Sequence, residues 1–354
     1  MIDIKKYSTF SLTQPEKEVF LLERLNNLTE FHLENCPEYF SLISKFRVAS
    51  SKAKNIADIP FIPVRLFKHI DLLSVPKNTV IKTMTSSGTS GQEISRIYLD
   101  KETSAFQVKI LSKILSDFIG PKRLPMLTID CKSIISNRKK FSARTAGVLG
   151  FSMFGRDVEF ALDDDMSINF HRVTEFLEKY KDENILIFGF TSIIWRHFIE
   201  ELERLEKKLN ISNGILIHGG GWKQMELQSV TNEEYKKRIL DTLNVKRVHN
   251  YYGMVEQTGS IFMECECGFL HASSFSDIII RNPENFHLKG IKQNGLIQLL
   301  SVIPKSYPGH SLLSEDIGEI HGIDNCKCGR KGKYFKVYGR LKNAELRGCS
   351  DTYT

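Results

Sequence analysis

The sequence lacks any run of about 18 apolar residues, the length with which a helix crosses a bilayer. Its opening residues, MIDIKKYSTF, have no apolar core of signal-peptide length. The longest apolar patch, GVLGFSMFG at 147–155, is too short for a membrane span and is rich in glycine. These absences argue against a membrane-spanning helix, and we expect a cytoplasmic protein that has no membrane among its partners.

The chain also has little cysteine. It contains seven in 354 residues, an odd number that argues against a disulfide framework. Cys36 and Cys131 stand alone and are expected to be small buried residues. Four others form two Cys-x-Cys pairs at 265–267 and 326–328, and Cys349 lies near the C-terminal end.

Neither sign of charge is in large excess. The 49 Lys and Arg against 42 Asp and Glu give a net charge of +7. No basic tract dominates, because NRKK at 137–140 is short and typical of a solvated loop. The modest positive charge suits an anionic small molecule as well as nucleic acid. Internal repeats and low-complexity tracts are absent, so the length predicts one extended globular domain or two.

The first 75 residues or so have a helical pattern. Thr13 and Glu16 stand at capping-box spacing, with Pro15 in the first turn. The apolar residues that follow recur at helical spacing: Val19, Leu22, Leu25, Leu28 and Phe31.

From about residue 78 short β-branched runs alternate with helical patterns, which predicts a parallel α/β sheet. The predicted strands are 79–84, 95–99, 184–190, 214–221 and 245–253. A single amphipathic helix is expected after 184–190, with one apolar face made of Ile194, Phe198, Leu202, Leu205 and Leu209. Ligands of such sheets bind beyond the carboxyl ends of the strands, so these ends predict the rim of an active site.

The pattern divides the chain into four segments. We expect a helical N-terminal segment, an α/β core, a β-rich subdomain with a zinc staple and a hinge-like tail, at 1–75, 76–275, 276–340 and 341–354 respectively.

A hydroxyl-rich loop, TSSGTSG, connects two of the predicted strands. Its hydroxyls and its two glycines could hold a phosphate, and the alternative is a flexible surface hairpin. It is not a Walker loop, because Gln92 follows Gly91 where that loop ends in Gly-Lys-Ser/Thr. The residues are Thr85, Ser86, Ser87, Gly88, Thr89, Ser90 and Gly91.

Two further motifs follow predicted strands. In YYGMVEQTG, Glu256 could hold a Mg²⁺ that bridges nucleotide phosphates, and Tyr251 or Tyr252 could stack on a base. The alternative is a solvated glutamate beside core tyrosines. In IHGGGW, the glycines would let a flat ligand lie against the backbone, whereas a lone histidine such as His218 is usually structural.

The Cys-x-Cys pairs resemble zinc-knuckle turns, since each is followed by a glycine. His271 adds a fifth candidate for four tetrahedral places, and a closed four-ligand site would be structural. The alternative is a set of reduced free cysteines. The candidate ligands are Cys265, Cys267, His271, Cys326 and Cys328.

The tail YGRLKNAELRGCSD, at 338–351, carries Arg340 and Lys342 beside glycines. Arg347 is close to Cys349, and a neighbouring cation lowers the pKa of a thiol. The alternative is an incidental C-terminal cysteine.

The order of these motifs resembles that of the adenylate-forming enzymes. The hydroxyl-rich loop is followed by YGMVE, then by the aspartate of SEDIGE, then by YGRLK. Within that superfamily VRLFKH, FGFTS, IHGGGWK and GRLKNAELRGCSD are similar to the LuxE-type acyl-protein synthetases, which are related to phenylacetate–CoA ligases. The resemblance covers about 60–354. It implies the α/β fold of the large N-terminal domain, with parallel sheets, flanking helices and a β-rich subdomain, without the usual small C-terminal domain.

The resemblance also implies roles for individual residues. The hydroxyl-rich loop would grip the β- and γ-phosphates of ATP, and Glu256 would hold Mg²⁺. Asp316 would bind the ribose hydroxyls, and Arg340 would reach the ribose or the phosphates. The adenine and the acyl group would be flanked by Gly219, Gly220, Tyr251, Tyr252 and Gly253.

Cys349 would match the thiol that accepts the acyl group in the acyl-protein synthetases. By this resemblance we expect no C-terminal domain with an adenylation lysine, so that Lys342, Arg340 or Lys223 would stabilise charge in the first step.

The expected function is ATP-dependent activation of a carboxylic acid to an acyl-adenylate with release of pyrophosphate, and the resemblance implies that the acid is a fatty acid. The acyl group then passes to a thiol, either Cys349 or an external acceptor. One alternative is a ligase that hands the acyl group to coenzyme A or a carrier protein. An alternative of another class is a non-catalytic zinc-stapled module that binds nucleic acid. The expected cofactors are ATP, Mg²⁺ and structural Zn²⁺, with no nucleic-acid partner for the enzyme.

Overall fold

The computed structural model describes residues 7–45, 52–86, 93–136, 143–222 and 229–341. The helices in these ranges are α1 (Gln14–Asn35), α2 (Pro37–Lys45), α3 (Leu66–His69), α4 (Lys101–Ile119), α5 (Ser133–Ser136), α6 (Ala143–Ser152), α7 (Phe170–Lys179), α8 (Thr191–Ile194), α9 (Glu200–Arg204) and α10 (Asn232–Leu243). A π-helical turn, Trp195–Ile199, joins α8 to α9. Shorter 3₁₀ turns include Ile56–Asp58, Lys77–Thr79 and Val255–Gln257.

The strands of the same ranges are β1 (Ile62–Pro63), β2 (Val80–Thr85), β3 (Arg96–Asp100), β4 (Leu124–Cys131), β5 (Gly155–Leu162), β6 (Ile185–Phe190), β7 (Gly214–Gly219), β8 (Arg247–Tyr252), β9 (Phe262–Glu264), β10 (Leu270–His271), β11 (Ser276–Arg281), β12 (Gly295–Ser301), β13 (Ser311–Ile323) and β14 (Lys333–Arg340). The five predicted strands are confirmed as β2, β3, β6, β7 and β8, each with ends shifted by a few residues.

Helix α1 begins where the capping-box spacing predicted it. The Thr13 backbone N–H donates a hydrogen bond of 2.8 Å to the Glu16 carboxylate, and the reciprocal bond from the N3 backbone is present as well. The next backbone N–H, that of Gln14, donates to the carboxylate of Asp324 at 2.9 Å. A carboxylate at this end also complements the helix dipole. The start of α1 is therefore fixed both locally and by a residue far along the chain.

The described residues form two compact units. The first unit combines 7–115 with 253–341, and the second unit is 116–252. The units reflect packing, whereas the four predicted segments follow sequence pattern. That four-part division stays a prediction.

The first unit contains an antiparallel sheet in the order β11-β12-β13-β14-β10-β9. Strand β1 lies parallel beside β13, and β2 and β3 pair separately as an antiparallel hairpin. Strands β11 and β12 are buried along their whole length, and the buried Asp277 of β11 is paired with Lys17 of α1 and Lys333 of β14. The prediction of a β-rich region after about residue 275 is confirmed.

The second unit contains a parallel sheet in the order β8-β7-β6-β4-β5. Strands β6 and β7 are fully buried, as expected of strands that are covered on both faces. The strand order reverses at β4, whose neighbours are β5 on one side and β6 on the other. Such a reversal opens a crevice at the carboxyl ends of the strands.

The helical stretch after β6 is shorter than predicted. The single amphipathic helix expected to reach Leu209 is wrong, because α9 ends at Arg204 and Glu206 adopts a left-handed backbone with φ of 53°. The Leu209 backbone N–H then donates to the carbonyl of Thr242 instead of a helical partner. The side-chain period alone could not reveal this backbone reversal.

Among 7–45, 52–86, 93–136, 143–222 and 229–341, every helix is too short or too polar to cross a bilayer.

Candidate active site

Glu256 lies in the 3₁₀ turn Val255–Gln257 and is only 3% exposed. The Gln257 side chain fixes this turn, since its Nε2 donates to the carbonyl oxygens of Leu299, at 3.1 Å, and of Gly309, at 2.8 Å. A buried carboxylate requires hydrogen-bond donors or a cation to offset its lost hydration. The sequence alternative of a solvated glutamate is therefore wrong.

Tyr307 is a buried neighbour of Glu256 that the sequence reasoning missed. Burial and then the negative charge of Glu256 raise the pKa of the Tyr307 hydroxyl, which stays protonated at neutral pH. The backbone of Gly309 is also close to this turn, because a Cβ added to Gly309 would lie 2.9 Å from the Glu256 carbonyl oxygen. The sequence around these residues, SYPGH, was the signal that could have pointed to Tyr307, but it resembles an ordinary turn.

Asp316 and Arg340 are brought together by the register of β13 and β14. The two residues are paired across the strands, and the Arg340 Nε lies 3.6 Å from the Asp316 Oδ1. Both side chains are partly exposed, at 17% for Asp316 and 33% for Arg340. Adjacent Glu315 accepts a hydrogen bond of 2.7 Å from the Arg65 Nε. This end of the sheet therefore presents alternating anionic and cationic groups.

The hydroxyl-rich loop emerges from the β2–β3 hairpin. Thr85 ends β2 opposite Arg96, and Ser86 closes the described part of the loop. The Ser86 N–H donates to the Ser95 carbonyl at 3.2 Å, and the Ser95 N–H donates to the Ser86 Oγ at 2.9 Å. These bonds fix the base of the loop and confirm the predicted strand–loop–strand arrangement.

One apolar cluster anchors these elements within the first unit. Ile97 and Leu99 of β3, Leu312 of β13 and Tyr307 are all buried in it, and Met254 packs against it just ahead of Glu256. The hairpin that carries the hydroxyl-rich loop, the turn of Glu256 and the strand of Asp316 are thus supported by the same core.

Gly219 and Tyr251 meet at the carboxyl edge of the parallel sheet in the second unit. They are register partners on β7 and β8, and a Cβ at Gly219 would lie 2.3 Å from the Tyr251 Cε1. Gly220 follows with a left-handed φ of 71°. Glycine is required at both positions, the first for the close approach of the ring and the second for its backbone conformation.

This contact predicts a stability difference between neighbouring glycines. Gly219→Ala would overpack against Tyr251 and should lower the free energy of unfolding by about 1–3 kcal/mol. Gly221→Ala is the matched control, because a Cβ at Gly221 meets no heavy atom within 4 Å. Urea denaturation measures both. Equal stability of the two variants would contradict the packing described.

His218 is buried one residue before Gly219. Its Nδ1 lies 2.9 Å from the Thr191 Oγ1, and that hydroxyl also donates to the Gly219 carbonyl at 3.2 Å. Burial lowers the pKa of His218 to about 3, so the ring is neutral at physiological pH. The structural interpretation of this histidine is confirmed.

The GVLGFSMFG patch divides between core and surface. Phe151 is buried and stacks on Phe188 of β6 at 4.2 Å between ring centroids, and it also lies 5.1 Å from Tyr251. Leu149 and Met153 are exposed. The buried part of the patch therefore packs α6 against the sheet, and Phe151 places an aromatic ring beside Tyr251.

The buried Asp130–Arg144 ion pair is a second feature that the sequence did not reveal. The Arg144 Nε donates to the Asp130 Oδ2 at 2.8 Å, and both side chains are about 1% exposed. Asp130 stands near the carboxyl end of β4, where the strand order reverses. Asp130 lies on β4 and Arg144 on α6, and no motif in the sequence links the two residues.

Four of the five candidate metal ligands are brought together in the first unit. One ligand atom from each lies within 4.8 Å of the others, in the set Cys265, His271, Cys326 and Cys328. The Cys265 and Cys326 sulfurs are 3.9 Å apart, and the Cys328 sulfur is 3.4 Å from the His271 Nε2. Cys267 is exposed and outside the group.

Tight turns assemble this cluster. Gly268 and Gly329 have left-handed φ angles of 79° and 85°, and their N–H groups donate to the carbonyls of Cys265 and Cys326, both at 3.0 Å. Burial raises the pKa of Cys265 and raises that of Cys326 to about 11. The thiols are therefore protonated unless a cation displaces the protons.

Several predicted site residues lie outside the described residues. They are Ser87, Gly88, Thr89, Ser90, Gly91, Lys223, Lys342 and Cys349. Tyr252 and Gly253 are described, at the end of β8 and directly after it.

The sequence pattern of the acyl-protein synthetase family, LuxE, matches residues 5–354. The chain belongs to this family. Two relatives are long-chain-fatty-acid–luciferin-component ligases. The protein of Aliivibrio fischeri is 22% identical over 332 residues, which are 90% of this chain and 84% of that protein. The protein of Vibrio harveyi is 21% identical over 338 residues, which are 91% and 84% respectively.

A solved structure of 2-hydroxyisobutyryl-CoA ligase, an open conformation in complex with 2-HIB-AMP and CoA, has the same fold. Its TM-score is 0.71 at 17% identity, over 94% of this chain and 77% of that chain. The predicted α/β fold of the large domain of adenylate-forming enzymes is confirmed. As a member of the acyl-protein synthetase family, the chain is an ATP-dependent ligase of the adenylate-forming type. The alternative of a non-catalytic nucleic-acid-binding module is wrong.

Proposed function

We propose that this acyl-protein synthetase activates a fatty acid with ATP and then transfers the acyl group to a thiol. The observation that carries the proposal is the buried carboxylate of Glu256 in a chain of this family. The turn that holds it is fixed by the hydrogen bonds of the Gln257 side chain. The names of the relatives, long-chain-fatty-acid ligases, support a fatty acid as the substrate class.

The first step forms the acyl-adenylate. A carboxylate oxygen of the acid attacks the α-phosphorus of ATP, a new P–O bond forms, and the bond to pyrophosphate breaks. The hydroxyl-rich loop, which continues from Thr85 and Ser86, would hold the β- and γ-phosphates through hydroxyls and backbone N–H groups. Asp316 would bind the ribose hydroxyls, and Arg340 would approach the ribose or the phosphates.

Glu256 would hold Mg²⁺. The residue fits a hard cation because it offers buried carboxylate oxygens close to the Tyr307 hydroxyl, which stays protonated. When bound, the ion neutralises phosphate charge as pyrophosphate leaves. Lys342, Arg340 or Lys223 would supply the remaining positive charge.

Gly219, Gly220, Tyr251, Tyr252 and Gly253 would border the adenine and the acyl group. The Tyr251 ring already occupies the space beside Gly219, so a planar group would stack on that ring instead of on the glycine. The aromatic rings around Phe151 continue this apolar surface.

The second step transfers the acyl group. A thiolate attacks the carbonyl carbon, a thioester bond forms, and the bond from that carbon to the phosphate oxygen of AMP breaks. The thiol proton passes to solvent. The proposed nucleophile is Cys349, and the alternative acceptor is an external thiol, on coenzyme A or on a carrier or reductase protein.

ATP–pyrophosphate exchange tests the first step. Incubated with a panel of fatty, aromatic and amino acids, the enzyme should support exchange with long-chain fatty acids. If no acid in the panel supports exchange, the proposed adenylation is wrong.

A Cys349→Ser variant tests the second step. With ATP and an alkyne-tagged fatty acid, the wild-type chain should acquire a hydroxylamine-sensitive label, and the variant should lose at least about 90% of it while keeping its exchange rate, because adenylation precedes the thiol step. Cys267→Ser, which removes an exposed cysteine, is the matched control and should label normally. If Cys349→Ser is labelled as strongly as the wild type, Cys349 is not the thiol that accepts the acyl group.

We further propose that Cys265, His271, Cys326 and Cys328 hold a structural zinc ion. In a tetrahedron with Zn–S bonds of about 2.3 Å the sulfurs stand about 3.8 Å apart. The observed 3.9 Å between the Cys265 and Cys326 sulfurs fits that spacing. With all four positions filled by protein ligands, such an ion would stabilise the β9–β10 and β13–β14 turns without taking part in catalysis.

A further inference from the structure

A partly open cavity of about 260 Å³ lies in the first unit, between α1, α4 and the chain that follows β12. Its walls are mainly apolar and are formed by Leu28, Phe31, Phe106, Val302 and Ile303. Residues proposed above to bind ATP, Mg²⁺ or Zn²⁺ do not line it. Water in such a cavity finds few polar partners, so hydrocarbon would replace it favourably.

One end of the cavity is cationic. Arg24, Leu28 and Phe31 stand at i, i+4 and i+7 on α1 and therefore form one stripe along the helix. Within the described ranges, the Arg24 Nε is buried and has no hydrogen-bond acceptor. A buried N–H without an acceptor is unfavourable. Arg24 also lines the cavity, so an anion bound at this end would lie beside its guanidinium charge.

The other end is already neutralised. The Lys305 ammonium donates to the Glu102 carboxylate at 2.9 Å and lies 5.8 Å from the centre of the Phe31 ring. This pairing leaves Arg24 as the cation available to a ligand. The cavity thus has a defined polarity, with an anion site at Arg24 and an apolar end at Phe31 and Phe106.

The dimensions limit the ligand. Seven residues of helix separate Arg24 from Phe31, a distance of about 10 Å at 1.5 Å per residue, which is the length of about eight extended carbons. The volume of about 260 Å³ exceeds that of an apolar cavity of about 150 Å³ that binds benzene. Length and volume together indicate a short or medium aliphatic chain with one anionic head.

We propose that this cavity is an accessory binding site for a medium-chain aliphatic carboxylate. The carboxylate accepts hydrogen bonds from the Arg24 guanidinium, and the chain lies against Leu28, Phe31 and Phe106. The site goes beyond the proposed adenylation, because its ligand is bound without nucleotide and is not consumed there.

Carbon-13 NMR of [1-¹³C]decanoate with the full-length protein, without ATP or Mg²⁺, tests the site. A carboxylate bound in slow exchange gives a signal separate from that of free decanoate. We expect one bound signal to disappear in Arg24→Gln, which removes the cation, and in Phe106→Trp, which fills the cavity. The controls are Arg204→Gln, an exposed arginine of the second unit, and Val108→Trp, an exposed position of α4. Both should keep every bound signal.

A second measurement separates this site from the catalytic one. Phe106→Trp and Arg24→Gln should keep ATP–pyrophosphate exchange within about twofold of wild type, with unchanged melting temperatures as the folding control. Bound signals identical to wild type in both variants, or no bound signal in the wild type, would overturn the accessory site. Loss of exchange in folded Phe106→Trp would overturn its separation from catalysis. Absence of exchange in the wild type would contradict the proposed function and leave the binding result intact.

Discussion

Glu256→Gln should lower ATP–pyrophosphate exchange by about 100- to 1000-fold. The substitution keeps the size of the side chain and removes the negative charge proposed to hold Mg²⁺, and a lost electrostatic contact to a transition state typically has an effect of this size. Fold stability should change little or rise, because a buried charge is replaced by a neutral amide. Exchange rates at saturating acid, measured over a Mg²⁺ series, provide the readout.

The matched control is Glu264→Gln. Glu264 is also a buried glutamate of the first unit, 2% exposed on β9, and has no proposed role in nucleotide binding. It should retain exchange within a few-fold if the variant remains folded. Wild-type exchange in a folded Glu256→Gln protein would remove Glu256 from the magnesium site and weaken the proposed mechanism as a whole.

Cys326→Ser should release the proposed zinc and destabilise the first unit. Loss of a metal ligand is among the few single changes that cost about 4 kcal/mol or more. For a unit of this size that loss corresponds to a fall in melting temperature of about 10 °C. Elemental analysis of purified protein should give about one zinc per wild-type chain and well under half of that in the variant.

Cys267→Ser is again the matched control, because this neighbouring cysteine is exposed and outside the cluster. It should keep both its zinc and its melting temperature. A strong chelator should reproduce the effect of Cys326→Ser on the wild-type protein. Wild-type protein without bound metal, or equal zinc loss in both variants, would contradict the assigned ligand set.

Local signals predicted the regular elements well. The Thr13–Glu16 spacing located the start of α1, since capping depends on residues within one turn. The β-branched runs at β6, β7 and β8 alternate with helical patterns, and this alternation predicted a parallel sheet. The order of the motifs resembles that of a known family, and this resemblance predicted the fold in which the elements are arranged.

Features set by distant packing were not predictable from pattern. Val19 belongs to the apolar stripe of α1, yet it is 75% exposed, whereas Leu21 and Leu25 are fully buried. The buried face of the helix is set by what packs against it. The grouping of His271 with three cysteines, and the separation of Cys267, likewise depend on turns that only the folded sheet defines.

In the candidate site, too, local sequence signals revealed some residues and distant packing determines the others. Glu256 could be singled out because a family motif surrounds it, but the residues that hold it lie in another part of the chain. Tyr307 and Gly309 are about fifty residues away from it, and the Gln257 bond to Leu299 joins β12. Spacing within a motif carries no information about such partners.

The bond between Gln14 and Asp324 has a consequence for biosynthesis. It joins positions 310 residues apart, and the first unit as a whole is assembled from 7–115 and 253–341. During translation the described part of the second unit, 116–252, which contains all the strands of the parallel sheet, can complete that sheet as soon as it leaves the ribosome. The earlier N-terminal stretch must wait, with its apolar helices uncovered, until the last third of the chain is made. Newly made protein is therefore most exposed to aggregation and to chaperones in this interval.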